Sequence, residues 1–151
     1  MDIMTFDDLV DIELSRHDWS RIETACGLAT DVPANFRRLM HASSEAEHVR
    51  IYWTLDNTIV VQGNAYEAGA CLVPAMIAAV SQPMCEVTDN VSELLFQVIW
   101  GNAHPPEWDD PNSRFWQSEM WKLYERINLA ASKGLWTFYR YAADEDRKSV
   151  V

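Results

Sequence analysis

The chain has 151 residues, of which 48% are hydrophobic, and this combination predicts one folded domain and excludes a disordered chain. Its 12 basic and 23 acidic residues give a net charge of −11, which disfavours nucleic acid and anionic lipid and suits a basic partner. No apolar run is long enough to span a membrane, and the acidic N-terminus differs from a signal peptide. We therefore expect a folded, cytoplasmic protein without membrane contact.

The start of the chain fits two kinds of secondary structure. Apolar and acidic residues alternate from Val10 to Leu14, which is a strand pattern, whereas Thr5 can cap a helix that carries Phe6 and Leu9 on one face. Because no second strand offers itself as a partner, we predict a helix here.

Two more short helices are predicted before residue 45. Asp18 can cap the first, and Gly27 is placed to end it; Thr30 or Asp31 begins the second, where Pro33 suits the first turn. The apolar faces are Ile22, Ala25, Cys26 and Ala29 in the first helix and Val32, Phe36, Leu39 and Met40 in the second.

The middle of the chain predicts a capped helix followed by a buried one. Ser44 and Glu47 have the spacing of a capping box, and the first helix carries Val49, Tyr52, Trp53 and Leu55. Residues 58–62 fit either a short strand or the end of that helix, stopped by Gly63. The stretch 65–80, with Pro74 in its middle, is apolar almost all round, which is typical of a kinked central helix.

Three further helices are predicted after residue 89. Asn90 can cap the first, Ser113 opens the second, which continues to Ser132, and Gly134 separates it from the last short helix. Their predicted inner faces are Val91, Leu94, Leu95, Val98 and Ile99, then Trp116, Met120, Leu123, Ile127 and Ala130, then Leu135, Phe138, Tyr139 and Ala142.

Two predicted helix pairs follow each other at an offset of about 45 residues, the period of HEAT and armadillo units. They are 45–57 with 65–80, and 90–100 with 114–132. We therefore predict an all-α protein, a HEAT/armadillo-like stack of antiparallel helix pairs with six to seven helices. It forms one domain, 1–151: residues 1–44 form capping helices, 45–143 two HEAT-like pairs plus a last short helix, and 144–151 a frayed charged tail.

Motifs of catalysis and metal binding are missing from the sequence. It contains no GxSxG or HExxH motif and no glycine-rich loop after a strand, so we expect no enzymatic activity, no cofactor and no metal site. The alternative is a helical enzyme or small-molecule-binding domain with a groove near Tyr52, Trp53 and Tyr66. The cysteines lack CxxC spacing and are expected to be reduced and buried: Cys26, Cys71 and Cys85.

Acidic residues and one tryptophan suggest a surface for a protein partner. Trp108 lies in a proline-rich loop between acids, so it either anchors an interface or folds back over the end of the helix bundle. The predicted partner-binding residues are Glu107, Trp108, Asp109 and Asp110, with Asp7, Asp8 and Asp11 near the N-terminus. The tryptophans in helical registers are expected mostly in the core: Trp53, Trp100, Trp116, Trp121 and Trp136.

Short segments between residues 52 and 148 resemble bacterial HEAT-like helical-repeat proteins. They include Trp53-Thr54-Leu55-Asp56-Asn57, the Gln-Gly turn and Tyr-Glu-Ala helix start within 61–68, Val73-Pro74, the helix Ser92 to Gly101, and Gly134-Leu135 followed by Asp144-Glu145-Asp146-Arg147. Small acidic proteins of this kind resemble immunity proteins of polymorphic-toxin and contact-dependent growth inhibition systems. The resemblance implies an immunity protein that binds and neutralises the C-terminal domain of a cognate, basic, nuclease-like toxin, and it carries over no catalytic residue.

Overall fold

The computed structural model describes residues 3–61, 64–82, 86–100 and 119–150. Within these ranges the chain forms seven α-helices, one short 3-10 helix and two hairpins of two-residue strands. The predicted all-α class and the predicted number of helices are therefore confirmed. The helices are α1 (Phe6–Ser15), α2 (Val32–His41), α3 (Glu45–Ile59), α4 (Glu67–Val80), α5 (Glu86–Trp100), α6 (Glu119–Ser132) and α7 (Leu135–Val150).

Side-chain caps fix the starts of α1 and α3. The Thr5 hydroxyl accepts a hydrogen bond from the Asp8 backbone N–H at 3.1 Å, and the Asp8 carboxylate accepts one from the Thr5 N–H at 2.7 Å. This capping box confirms the helix over the strand pattern at the start of the chain. At α3 the Ser44 hydroxyl caps Glu47 as predicted, whereas the Glu47 carboxylate binds the backbone N–H of Ser43, one residue earlier.

The predicted helix after Asp18 is wrong beyond its first turn. Asp18 caps a 3-10 helix over Trp19–Arg21, and the chain then forms a hairpin of β1 (Glu23–Thr24) and β2 (Gly27–Leu28). Gly27 has a φ of 124°, which an α-helix does not allow. The Thr24 hydroxyl accepts from the backbone N–H of Cys26 and donates to the Gly27 carbonyl, so local hydrogen bonds replace helical ones.

A second hairpin follows α3, in the segment whose pattern fitted both a strand and a helix end. Helix α3 continues to Ile59, and β3 (Val60–Val61) then pairs with β4 (Asn64–Ala65) in antiparallel register. The segment therefore contains both predicted structures, first the end of the helix and then a short strand. The Tyr66 N–H donates to the Ile59 carbonyl at 3.0 Å, which joins the end of α3 to the start of α4.

Helix α4 is the centre of the fold, as predicted. It contains Pro74, its side chains are buried on nearly every side, and α1, α5 and α6 pack directly against it. Helix α7 also reaches it, where the hydroxyls of Ser81 and Thr137 lie 3.0 Å apart. Helix α3, which the repeat pattern pairs with α4, packs more extensively against α2.

Two other helices have the inner faces that the sequence predicts, although one begins earlier than expected. Helix α5 starts at Glu86, so Asn90 lies inside the helix and is not its cap. The predicted start of the next helix at Ser113 lies outside the described residues, which enter α6 at Glu119. The confirmed buried residues are Val32, Phe36, Leu39 and Met40 in α2 and Val91, Leu94, Leu95 and Val98 in α5.

The last helix is longer than the sequence pattern predicts. Residues 144–150, expected as a tail, continue α7 to Val150. Glu145, Arg147 and Lys148 are good helix formers and favour continuation of the helix even where no apolar face marks it. The predicted inner face of α7 is mostly wrong, because Leu135, Tyr139 and Ala142 are exposed and only Phe138 packs against the core.

Candidate functional site

The acidic loop predicted to bind a partner lies outside the described residues. Glu107, Trp108, Asp109 and Asp110 all fall between residues 101 and 118. Their role as a binding surface stays a prediction.

The acidic residues of α1 already have partners within the fold. The Asp11 carboxylate lies 2.7 Å from the Arg37 guanidinium, and the Asp7 carboxylate lies 3.3 Å from Nε2 of His41. Asp8 is held in the cap of α1, where hydrogen bonds from the Thr5 backbone and hydroxyl lower the pKa of its carboxyl group. These internal contacts tie α1 to α2 and weaken the attraction of this cluster for a basic partner.

Three tryptophans predicted for the core are on the surface instead. Trp53 is 54% exposed, Trp100 72% and Trp136 83%. In α3 the apolar residues cover a broad arc of the helix, so periodicity alone does not show which of them face inward. Trp19, to which the sequence assigned no role, is buried, and its indole N–H donates to the Leu14 carbonyl at 2.7 Å.

Helices α3 and α5 pack side by side, and each presents two large apolar side chains to solvent one helical turn apart. Carboxyl groups accompany them on both helices. We call these residues together the α3–α5 face: Val49, Trp53 and Asp56 on α3 and Glu93, Phe96 and Trp100 on α5, with Glu93 close enough to Asp56 to shift the pKa of that carboxyl group.

The Glu93 carboxylate of the α3–α5 face acts on two side chains of α3. Partial burial raises the pKa of Asp56, and the nearby Glu93 carboxylate raises it further. Burial also raises the pKa of Tyr52, with additional contributions from Glu93 and Asp56, so the phenol stays neutral at physiological pH. Among the described residues neither carboxylate has an ion-pair partner. A cation from outside the chain would therefore relieve their repulsion.

A cavity of about 630 Å³ lies where the start of α4 faces α6. It contains apolar, acidic and basic groups together. The described residues that line it are Glu23, Ala65, Tyr66, Glu67, Lys122, Leu123 and Arg126.

Arg126 organises one wall of this cavity. Its guanidinium lies 3.8 Å from the Glu67 carboxylate and 3.5 Å from the sulfur of Cys71. Burial raises the pKa of the Cys71 thiol, and the positive charge of Arg126 offsets only part of that effect. Cys71 is thus a neutral, buried thiol at physiological pH, as predicted, and has no activated nucleophilic form. Cys26 is exposed, contrary to prediction, because the hairpin turns it outward, and Cys85 lies outside the described residues.

The groove predicted near Tyr52, Trp53 and Tyr66 is only partly present. Tyr52 and Trp53 contact each other edge to face with ring centroids 5.4 Å apart, and they belong to α3. Only Tyr66 lines the cavity. The charged residues Glu23 and Arg126 were missed, because nothing in their local sequence links β1 with α6.

Membrane-spanning helices and metal-binding clusters were two further possibilities for the described residues. None of their helices has the length and apolarity needed to cross a membrane. None of their histidine, cysteine, aspartate and glutamate side chains form a group of three or more that could hold a metal ion.

Comparison of the chain with protein-family models, with curated proteins and with solved structures finds no match. The likeness to HEAT-like immunity proteins therefore rests on the short sequence segments alone.

Proposed function

We propose that this chain is a binding protein that docks a basic protein partner on the α3–α5 face. The resemblance noted in the sequence suggests the kind of partner, a bacterial toxin domain with nuclease-like activity, and the role of an immunity protein that neutralises it. On this proposal the chain acts by binding and catalyses no reaction.

The observation that carries the proposal is the pair of exposed aromatic helix faces. A single exposed apolar side chain is ordinary, but here four large ones lie on two adjacent helices. Tryptophan is enriched among residues that dominate binding energy, because its large rigid surface is desolvated on contact at low entropic cost. Trp53, which is exposed and contacts the ring of the buried Tyr52 edge to face, is our candidate for such an anchor.

The charge of the face supports a basic partner. Asp56 and Glu93 lie beside the aromatic residues, and the chain as a whole carries a net charge of −11. A lysine or arginine brought between the two carboxylates would reduce their repulsion while the aromatic side chains exclude water. Complementary charge also accelerates encounter, so association should weaken with added salt.

The experiment that tests the function uses the protein encoded by the adjacent gene. Its C-terminal domain is expressed in a bacterial host with and without this chain, and surviving cells are counted. The proposal expects a basic domain that kills the host alone and is neutralised when the two are made together. An adjacent domain that is harmless, or that kills equally in both cases, would overturn the immunity role.

A second experiment tests the surface by measuring binding of that domain to purified variants. Trp53→Ala should cost at least about 2 kcal/mol of affinity, mainly through faster dissociation. Trp136→Ala is the matched control, since it removes an exposed tryptophan on α7, outside the α3–α5 face. Equal effects of the two variants would remove the α3–α5 face from the proposal. Trp108→Ala in the same assay tests the predicted acidic loop. A loss of affinity in that variant alone would indicate that the partner binds this loop and not the α3–α5 face.

A further inference from the structure

We infer that the cavity beside Tyr66 is a binding site for a small zwitterion with an apolar body, the chemical class of an aromatic amino acid. Its volume of about 630 Å³ is within the range of small-molecule sites, roughly 300–1,000 Å³. The inference is independent of the protein-binding proposal, because no residue that lines the cavity belongs to the α3–α5 face.

The carboxylate of such a ligand has a partner in Arg126. At 3.8 Å the pair with Glu67 is a long one, and the arginine side chain is 51% exposed, so its guanidinium keeps donors for a second acceptor. Guanidinium groups bind carboxylates through two parallel hydrogen bonds, which fixes orientation as well as charge. Lys122 lies one helical turn earlier on α6 and adds positive charge to the same cavity.

The ammonium group has a partner in Glu23. This exposed carboxylate on β1 also lines the cavity, and among the described residues it forms no ion pair. A plain anion would meet the repulsion of Glu23, of Glu67 and of a chain with net charge −11. A zwitterion carries no net charge and satisfies both signs at once. Ala65, Tyr66 and Leu123 supply the surface on which its apolar body packs.

Isothermal titration calorimetry with four probes tests this inference. Phenylalanine carries both charges, N-acetylphenylalanine lacks the ammonium group, phenylalaninamide lacks the carboxylate, and glycine lacks the apolar body. We expect phenylalanine to bind about tenfold more tightly than each of the other three, since each lacks one set of contacts. Absence of heat with all four, or equal affinity for all four, would overturn the inference.

Two variants assign the two charges to their partners. Arg126→Gln should weaken phenylalanine and N-acetylphenylalanine while leaving phenylalaninamide unchanged, and Glu23→Gln should weaken phenylalanine and phenylalaninamide while leaving N-acetylphenylalanine unchanged. Arg16→Gln is the matched control, because it also removes a guanidinium from an exposed ion pair, with Glu13 on α1. Circular dichroism verifies that each variant is folded. A loss of affinity in Arg16→Gln equal to that in Arg126→Gln, or the same probe pattern in both cavity variants, would refute the assignment.

Discussion

Gly134, between α6 and α7, tests how tightly the last two helices are held against α4. A Cβ atom at this position would lie 2.8 Å from Cδ1, 2.9 Å from Cγ2 and 3.0 Å from Cγ1 of Ile77. Carbon atoms prefer separations of about 3.5–4.0 Å, so all three contacts are too short. Ile77 is β-branched and restricted at χ1, which leaves it little freedom to move aside on the central helix. We therefore expect Gly134→Ala to destabilise the protein.

The size of the effect follows from two opposing contributions. Overpacking of this kind costs about 1–3 kcal/mol. Replacing glycine by alanine recovers about 0.4–1 kcal/mol from the unfolded chain, because the backbone at Gly134 is not in the left-handed region and alanine can adopt it. The net loss should be about 1–2 kcal/mol, which for a chain of this length lowers the melting temperature by about 2–4 °C per kcal/mol.

Urea unfolding followed by circular dichroism measures the loss. Lys133→Ala, in the same turn but exposed, is the control and should change stability by less than about 0.5 kcal/mol. The decisive comparison repeats Gly134→Ala in an Ile77→Ala background, where the three crowded atoms are gone. There the substitution should be neutral or stabilising. An equal loss in both backgrounds, or no loss in the native one, would refute the steric reasoning.

Two further predictions concern carboxyl groups. Burial and the neighbouring Glu93 raise the pKa of Asp56 in the folded state, so its ionised form destabilises the fold at pH 7. Asp56→Asn should raise the urea midpoint at pH 7, and this gain in stability should disappear as the pH falls through the raised pKa towards the ordinary value of 3.8. Asp31→Asn, which removes an exposed carboxylate, is the control. An equal gain in stability from Asp31→Asn would contradict the reasoning. Thr5→Ala removes the cap of α1 and should cost about 1 kcal/mol in thermal unfolding, and an unchanged melting temperature would show that the cap contributes nothing.

Much of the fold could be predicted because its signals are local. The caps at Thr5 and Ser44 depend on residues within three or four positions, and the buried stretch of α4 is apolar on every side. The hairpin around Gly27 was missed because its residues also have helical spacing, and the left-handed backbone of one glycine decides between the two. Helical spacing likewise did not show which apolar residues of α3 face solvent. The exposure of Trp53 depends on how α3 packs against its neighbours, which the sequence pattern does not specify.

The candidate site was less predictable than the fold. The cavity combines Glu23, Tyr66 and Arg126, which are far apart in the chain and share no motif. These residues come together because α6 and the first hairpin both pack against α4. Contacts between elements that are distant in the chain leave no periodic signal in a single sequence. The predicted groove contained Tyr66 because aromatic residues mark both cores and binding sites.

The dependence of α1 on α4 has a consequence for the order of events during synthesis. The buried face of α1, which includes Val10 and Leu14, packs against a helix that ends only at Val80. At roughly 5–20 residues per second the ribosome needs on the order of 3–13 s to add the intervening residues. Throughout that interval the apolar face of α1 lacks α4, the helix that it contacts most, so the nascent chain exposes apolar side chains that chaperones can bind. Translation pauses that occur after α1 has left the ribosome but before α4 has left it should lengthen this exposure, whereas pauses after α4 has emerged should not.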